Sequence, residues 1–159
     1  MRNTLDPLDL KLLDCLQHDN QLKADALAEH IGLSSSAVAR RLRQLRVNKV
    51  ITADVSVVSE QALGKPLSAI VHIQLERHAL TEVAAFRRQL AASDNVQFCL
   101  EISGTFDILI LVVVAGMEAF NSFADDVLAG QRAVRRYETS FVKRRLKASL
   151  ALPLEELAG

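Results

Sequence analysis

Between Gly32 and Lys49 the sequence reads GLSSSAVARRLRQLRVNK, in which Arg40, Arg41, Arg43, Arg46 and Lys49 bring five positive charges and no acid intervenes. Arginine and lysine hold phosphates, while Ser, Arg and Gln can address base edges, so Ser34, Ser35, Ser36 and Gln44 complete a set suited to nucleic acid. The whole chain, with 19 Lys/Arg and 19 Asp/Glu, has no formal net charge. The asymmetry is therefore local: Met1 to Leu33 carries three Lys/Arg against six Asp/Glu. A second cationic cluster, Arg132 to Lys147, sets seven Lys/Arg against the single Glu138. A charge run alone is most often a solvated helix face, so position on the fold has to decide what each cluster does.

Other chemistries have less to build on. Cys15 and Cys99 stand far apart with no CxxC pair, which fits a reducing compartment, and Cys15 with His18 has no second pair to complete a metal site. His18, His30, His72 and His78 are dispersed. No nucleophile–base pair, paired-carboxylate motif or phosphate-cradling glycine loop can be read, so neither an enzyme nor a cofactor is expected. The longest apolar run, ILILVVVA from Ile108, is too short to cross a bilayer as a helix, and the opening MRNTLDPLD has no signal-like apolar segment. A soluble, cytoplasmic protein that makes no membrane contact is expected.

Three short helices must position the cationic stretch. The first has Pro7 in its opening turn and Leu8, Leu12 or Leu13, and Leu16 on one face, ending near HDNQ. The second, about Lys23 to Ile31, buries Leu27 and Ile31 and stops at Gly32. Ser34 is placed to cap the third, where Val38, Leu42, Leu45 and Lys49 fall on one side and Ser36, Arg40, Arg43, Gln44 and Val47 on the other. Helix, tight glycine turn, helix is a helix-turn-helix, with a winged-helix-like domain expected over residues 1–54. Its basic second helix is then free to enter a DNA major groove. No aromatic residue occurs from Met1 to Ala85, so base stacking on single strands has no platform and double-stranded DNA is favoured.

After Lys49, VITADVSVV has the β-branched content of a strand and SEQALGKP the Gly and Pro of a connection, giving a linker strand and hinge over 55–66. Residues 67–159 then read strand (Leu67–Glu76), helix (Leu80–Ala92), strand (Val96–Ser103), strand (Phe106–Val114), helix (Met117–Leu128), strand (Val134–Lys143). This is βαββαβ, a ferredoxin-like pattern, making the fold class α+β. FDILILVVV is apolar on both faces past Asp107. Helices cover one face of such a sheet, so the other needs a second cover. A two-fold homodimer would supply it, and the alternative is the tail ASLALPLEEL folding back.

LDPLDLKLLDCLQHDNQLKADALAEHIGLSSSAVARRLRQL resembles the opening of the Lrp/AsnC (feast-or-famine) transcription regulators, and SGTFDILI with the late LPL resembles their effector domain. The resemblance spans nearly the whole chain in the family's order. It implies a bacterial or archaeal DNA-binding regulator whose C-terminal domain dimerises through its sheets, assembles further, often to octamers, and binds a small-molecule effector, commonly an amino acid. By position it implies a helix-turn-helix at about Ala24 to Arg43. The effector loop would be Gly104, Thr105, Phe106 and Asp107, helped by Thr139 and Ser140. Two departures stand out. NKVI replaces the usual glycine after the recognition helix, so Asn48 or Lys49 must take the left-handed turn, and SSAVA stands where many relatives have proline.

Within that frame Gly104 allows close backbone approach, N–H groups could hold a ligand carboxylate, and Asp107 could pair with its ammonium. Asp107 could equally cap turn amides, a common role for Asp in hairpins. Siroheme decarboxylases share the two-domain architecture, but the Arg-x-Gly-Ala-type segment of that group is missing from ITADVSVVSEQALG. A winged-helix protein-interaction module is a third reading, which leaves the acid-free helix unexplained.

Overall fold

The computed structural model describes residues 5–76 and 78–157. The outer ends of the expected domain ranges, 1–4 and 158–159, lie outside the described residues, as does residue 77. The chain divides into two compact units, Met1–Val57 with Lys147–Gly159, and Val58–Leu146.

In the first unit α1 (Pro7–His18) begins at a reciprocal cap. The Asp6 carboxylate accepts the N–H groups of Leu8 and Asp9 at 2.9 and 2.8 Å, and the Asp9 carboxylate accepts the Asp6 N–H at 3.3 Å. Pro7 gives up no hydrogen bond at that position. Helix α2 (Ala24–Ile31) ends at Gly32, whose φ of 76° turns the chain so that the Gly32 and Leu33 N–H groups both reach the Ala28 carbonyl. Ser34 then opens α3 (Ser35–Val47), its hydroxyl accepting the Ala37 N–H at 3.3 Å. Leu12 and Leu13 of α1, Leu27 and Ala28 of α2, and Val38, Leu42 and Leu45 of α3 form one buried cluster.

The β-branched stretch after α3 forms no strand, and none precedes Leu67 among the described residues, so the expected linker strand does not form. Val55, Val57 and Val58 are 64, 92 and 62% exposed: β-propensity without a partner strand or an apolar neighbour does not make a strand. The tail also departs from expectation. It groups with the first unit, where Gln17 of α1 donates to the Leu152 carbonyl at 3.1 Å and accepts the Leu152 N–H at 2.7 Å. Leu154, opening the one-turn α6 (Leu154–Leu157), packs against the helical core. The tail therefore adds no strand to the sheet.

The second unit contains β1 (Leu67–Leu75), α4 (Leu80–Ala92), β2 (Val96–Glu101), β3 (Ile108–Val114), α5 (Met117–Phe123) continued by a π-helical turn (Ala124–Leu128), and β4 (Val134–Phe141). The strands form one antiparallel sheet in the order β2-β3-β1-β4. Ala69, Val71, Ile73 and Leu75 alternate toward one face with Ile108, Ile110, Val112 and Val114, and Val83, Phe86, Leu90, Phe120 and Phe123 from the helices close over them. Leu109, Leu111 and Val113 face the other way and are half-buried, next to the more exposed Phe98 and Leu100 of β2. Within one chain, β3 is thus fully buried on its helix side alone.

Candidate DNA-binding and effector sites

Helix α3 sorts its cations into two kinds. Arg40 and Arg43, with Ser36 and Gln44, are exposed on the side away from Val38, Leu42 and Leu45. Neither arginine makes an ion pair among the described residues. Arg41 was expected at the DNA surface, but its guanidinium meets Asp6 at 2.6 Å and Asp9 at 2.8 Å. One residue of helical rotation, about 100°, carries it from the free face to the start of α1. The backbone N–H of Asp9 and then Arg41 hold the Asp6 carboxyl below its ordinary range, and Asp6 in turn raises Arg41. Arg46 is likewise engaged, by Asp54 at 3.0 and 3.2 Å.

The serines divide as well. Ser34 is committed to capping, with its hydroxyl 3.2 Å from that of Ser36, and Ser35 is half-buried. Lys49 is exposed and lies past the helix end with φ of 56°, so it and not Asn48 takes the left-handed turn, letting the Val50 N–H reach the Leu45 carbonyl at 2.9 Å. The face left open by these commitments is Ser36, Arg40, Arg43 and Gln44, with Lys49 at its end.

In the second unit the residues SGTFD turn the chain from β2 to β3. Gly104 has φ of 139°, a conformation that a side chain would strain. Asp107 is tied to β1 twice: its N–H donates to the Ile73 carbonyl at 2.9 Å, and its carboxylate accepts the Leu75 N–H at 2.7 Å. The amide-capping role is thus present, although a carboxylate has acceptor capacity beyond one N–H. A cleft of about 220 Å³ opens here between the turn, the end of β1, α4 and β4, lined among others by Gln74, Glu76, Arg87, Gly104, Thr105, Asp107 and Arg135.

The cleft gathers Gly104, Thr105 and Asp107, whereas the other expected effector residues lie elsewhere. Phe106 turns to the open sheet face, its ring 5.3 Å from His72 and 5.2 Å beneath the Arg136 guanidinium. Thr139 and Ser140 pair with Val71 and Ile70, farther along β4 than the Gln74–Leu75 end where the cleft opens, and do not line it. Arg87 and Arg135 were not anticipated. Arg135 reaches the cleft because β4 bulges where the register slips between Gln74 and Leu75, a local event with no sequence signature. Arg87, on the exposed side of α4, pairs with Glu101 at 2.6 Å.

A helix-turn-helix unit carrying a free cationic face, joined to an α+β unit with a polar cleft, is the architecture of a two-domain regulator that couples DNA to a small ligand. Residues 5–46 match the AsnC-type helix-turn-helix domain, and residues 68–152 match the Lrp/AsnC ligand binding domain. The chain belongs to the Lrp/AsnC family of transcriptional regulators. It is 34% identical to an HTH-type transcriptional regulator of Sinorhizobium fredii over 95% of this chain and 89% of that one. A transcriptional regulator from Neisseria meningitidis, solved as its L-Met complex, is 29% identical with a TM-score of 0.85, covering 97% of this chain and 99% of the other. An AsnC family regulator from Agrobacterium tumefaciens is 26% identical with a TM-score of 0.87, covering 96 and 99%. These relatives are named as transcriptional regulators. Among the described residues no helix is long and apolar enough to cross a membrane.

Proposed function

We propose that this regulator reads duplex DNA with the free face of α3 and answers to an amino acid bound at the turn from β2 to β3. Ser36, Arg40, Arg43 and Gln44 enter the major groove, Lys49 holds a phosphate at the helix end, and Arg41 and Arg46 brace the helix from behind. The observation that carries the reading is the pair Arg40 and Arg43, exposed on the second helix of the motif without an intrachain ion-pair partner among the described residues. The working unit is a cytoplasmic homodimer formed across the open sheet face, where Leu109, Leu111 and Val113 lie half-buried, and able to assemble further.

For the effector, the cleft beside Gly104 offers the Asp107 carboxylate to an ammonium and Arg135 to a carboxylate, the two ends every amino acid shares. The methionine complex of the Neisseria relative makes L-Met the first ligand to try. Selection of duplexes from a random pool tests the DNA half: a dimer selects two inverted half-sites, and recovery of no sequence preference would refute it. A melting-temperature screen against the twenty amino acids tests the effector half, since a ligand that binds only the folded state raises the melting point.

A further inference from the structure

We propose that the exposed segment Lys143–Lys147 is a second DNA-contacting element, gripping the phosphate backbone outside the site read by α3. The inference rests on the DNA-binding reading above. The unit that carries α3, residues 1–57 with 147–159, holds nine Lys/Arg against nine Asp/Glu, so it has no excess positive charge. Two of the five cations around α3 are further occupied by Asp6, Asp9 and Asp54. Arg40, Arg43 and Lys49 remain, and three phosphate contacts give a salt slope of only about 2.7 per protomer.

KRRLK sets Lys143, Arg144, Arg145 and Lys147 within five residues, and no acid lies between Glu138 and Glu155. The segment has no regular structure, and every residue in it is exposed. Arg145 is anchored to Glu60 at 2.7 Å, while Lys143, Arg144 and Lys147 make no ion pair among the described residues. The three unpaired like charges repel one another, and a polyanion relieves that repulsion.

The segment is a covalent joint between the two units, with Lys147 in the DNA-binding unit and Lys143–Leu146 in the sheet unit. Leu152 is fixed to Gln17 of α1 by two hydrogen bonds, and Lys147 lies five residues before it, a reach of at most about 18 Å. Phe141, the nearest aromatic residue, is held edge-on by Phe120 at 5.2 Å and none follows it, so single strands have little to stack on and a duplex backbone is the fitting polyanion.

The test measures binding of the full chain to a mixed-sequence duplex across a range of salt concentrations. Lys143→Gln/Arg144→Gln/Lys147→Gln is expected to melt like wild type yet lose about 2.7 from the salt slope per protomer bound, at about 0.9 per cation. The charge-keeping variant Lys143→Arg/Arg144→Lys/Lys147→Arg should retain the slope. A neutralised variant with the wild-type slope overturns the proposal, and does so alone if Arg40→Ala/Arg43→Ala still weakens binding. Wild-type chain that binds no duplex overturns both readings. Loss of binding to phosphatidylserine vesicles in the neutralised variant, with the DNA slope unchanged, would assign the segment to a membrane surface instead.

Discussion

Arg41 and Arg43 stand two positions apart on one helix and answer to different partners. Arg41 closes the capping box of α1, so Arg41→Ala is expected to leave Asp6 and Asp9 without their cation and lower the melting temperature, with DNA affinity affected only through stability. Because the Asp6 pKa is depressed in the fold, its contribution is complete above the ordinary value of 3.8 and is lost as pH falls through the lower folded value. Acid titration of the melting temperature should therefore be flat in this group down to 3.8 and fall below it, and Arg41→Ala should show a smaller fall, because its Asp6 carboxyl is less depressed. At Asp107 the two roles separate by substitution. Asp107→Ala strands the buried Leu75 N–H, at a cost of about 1–3 kcal/mol. Asp107→Asn keeps an acceptor while removing the charge, so it should melt near wild type but lose the melting shift produced by an amino acid. An Asn variant that responds with wild-type affinity would place the ammonium site elsewhere.

At the scale of elements, legibility followed local chemistry. The three helices, the caps at Ser34 and Gly32 and the order of the sheet elements were readable because periodicity and capping act within a few residues. The strand expected from VITADVSVV was misread because a strand needs a neighbour that no local pattern specifies, and the exposed Val57 has none. For the same reason the sequence showed the charge of Arg41 but not its turn toward Asp6, and the chemistry of SGTFD but not the bulge that brings in Arg135. Lys49 is the element-scale anomaly, a lysine held at φ of 56°. Relief of about 1–2 kcal/mol of left-handed strain, offset by about 0.4–1 kcal/mol of unfolded-chain entropy, predicts that Lys49→Gly stabilises the protein by about 0.5–1 kcal/mol. Denaturant unfolding reads this directly, and a destabilised variant would show that the turn is not strained.

For the whole molecule, the open sheet face connects assembly to recognition. If Leu109, Leu111 and Val113 meet their equivalents across a two-fold axis, Leu111→Asp buries an unpaired charge and should give monomers or unfold the chain. Light scattering that finds the wild type to be a stable monomer would contradict the dimer and, with it, a palindromic operator. The claim on which the rest depends is that α3 meets DNA through its free face. Its most direct measurement is duplex affinity, on the sequence recovered by selection, for wild type and for Arg40→Ala/Arg43→Ala at matched salt. These side chains support no part of the fold, so the account predicts unchanged melting, a salt slope reduced by about 1.8 per protomer if both hold phosphates, and a loss of about 1–3 kcal/mol for each that pairs with a base. A double variant that binds with wild-type affinity and slope would contradict it.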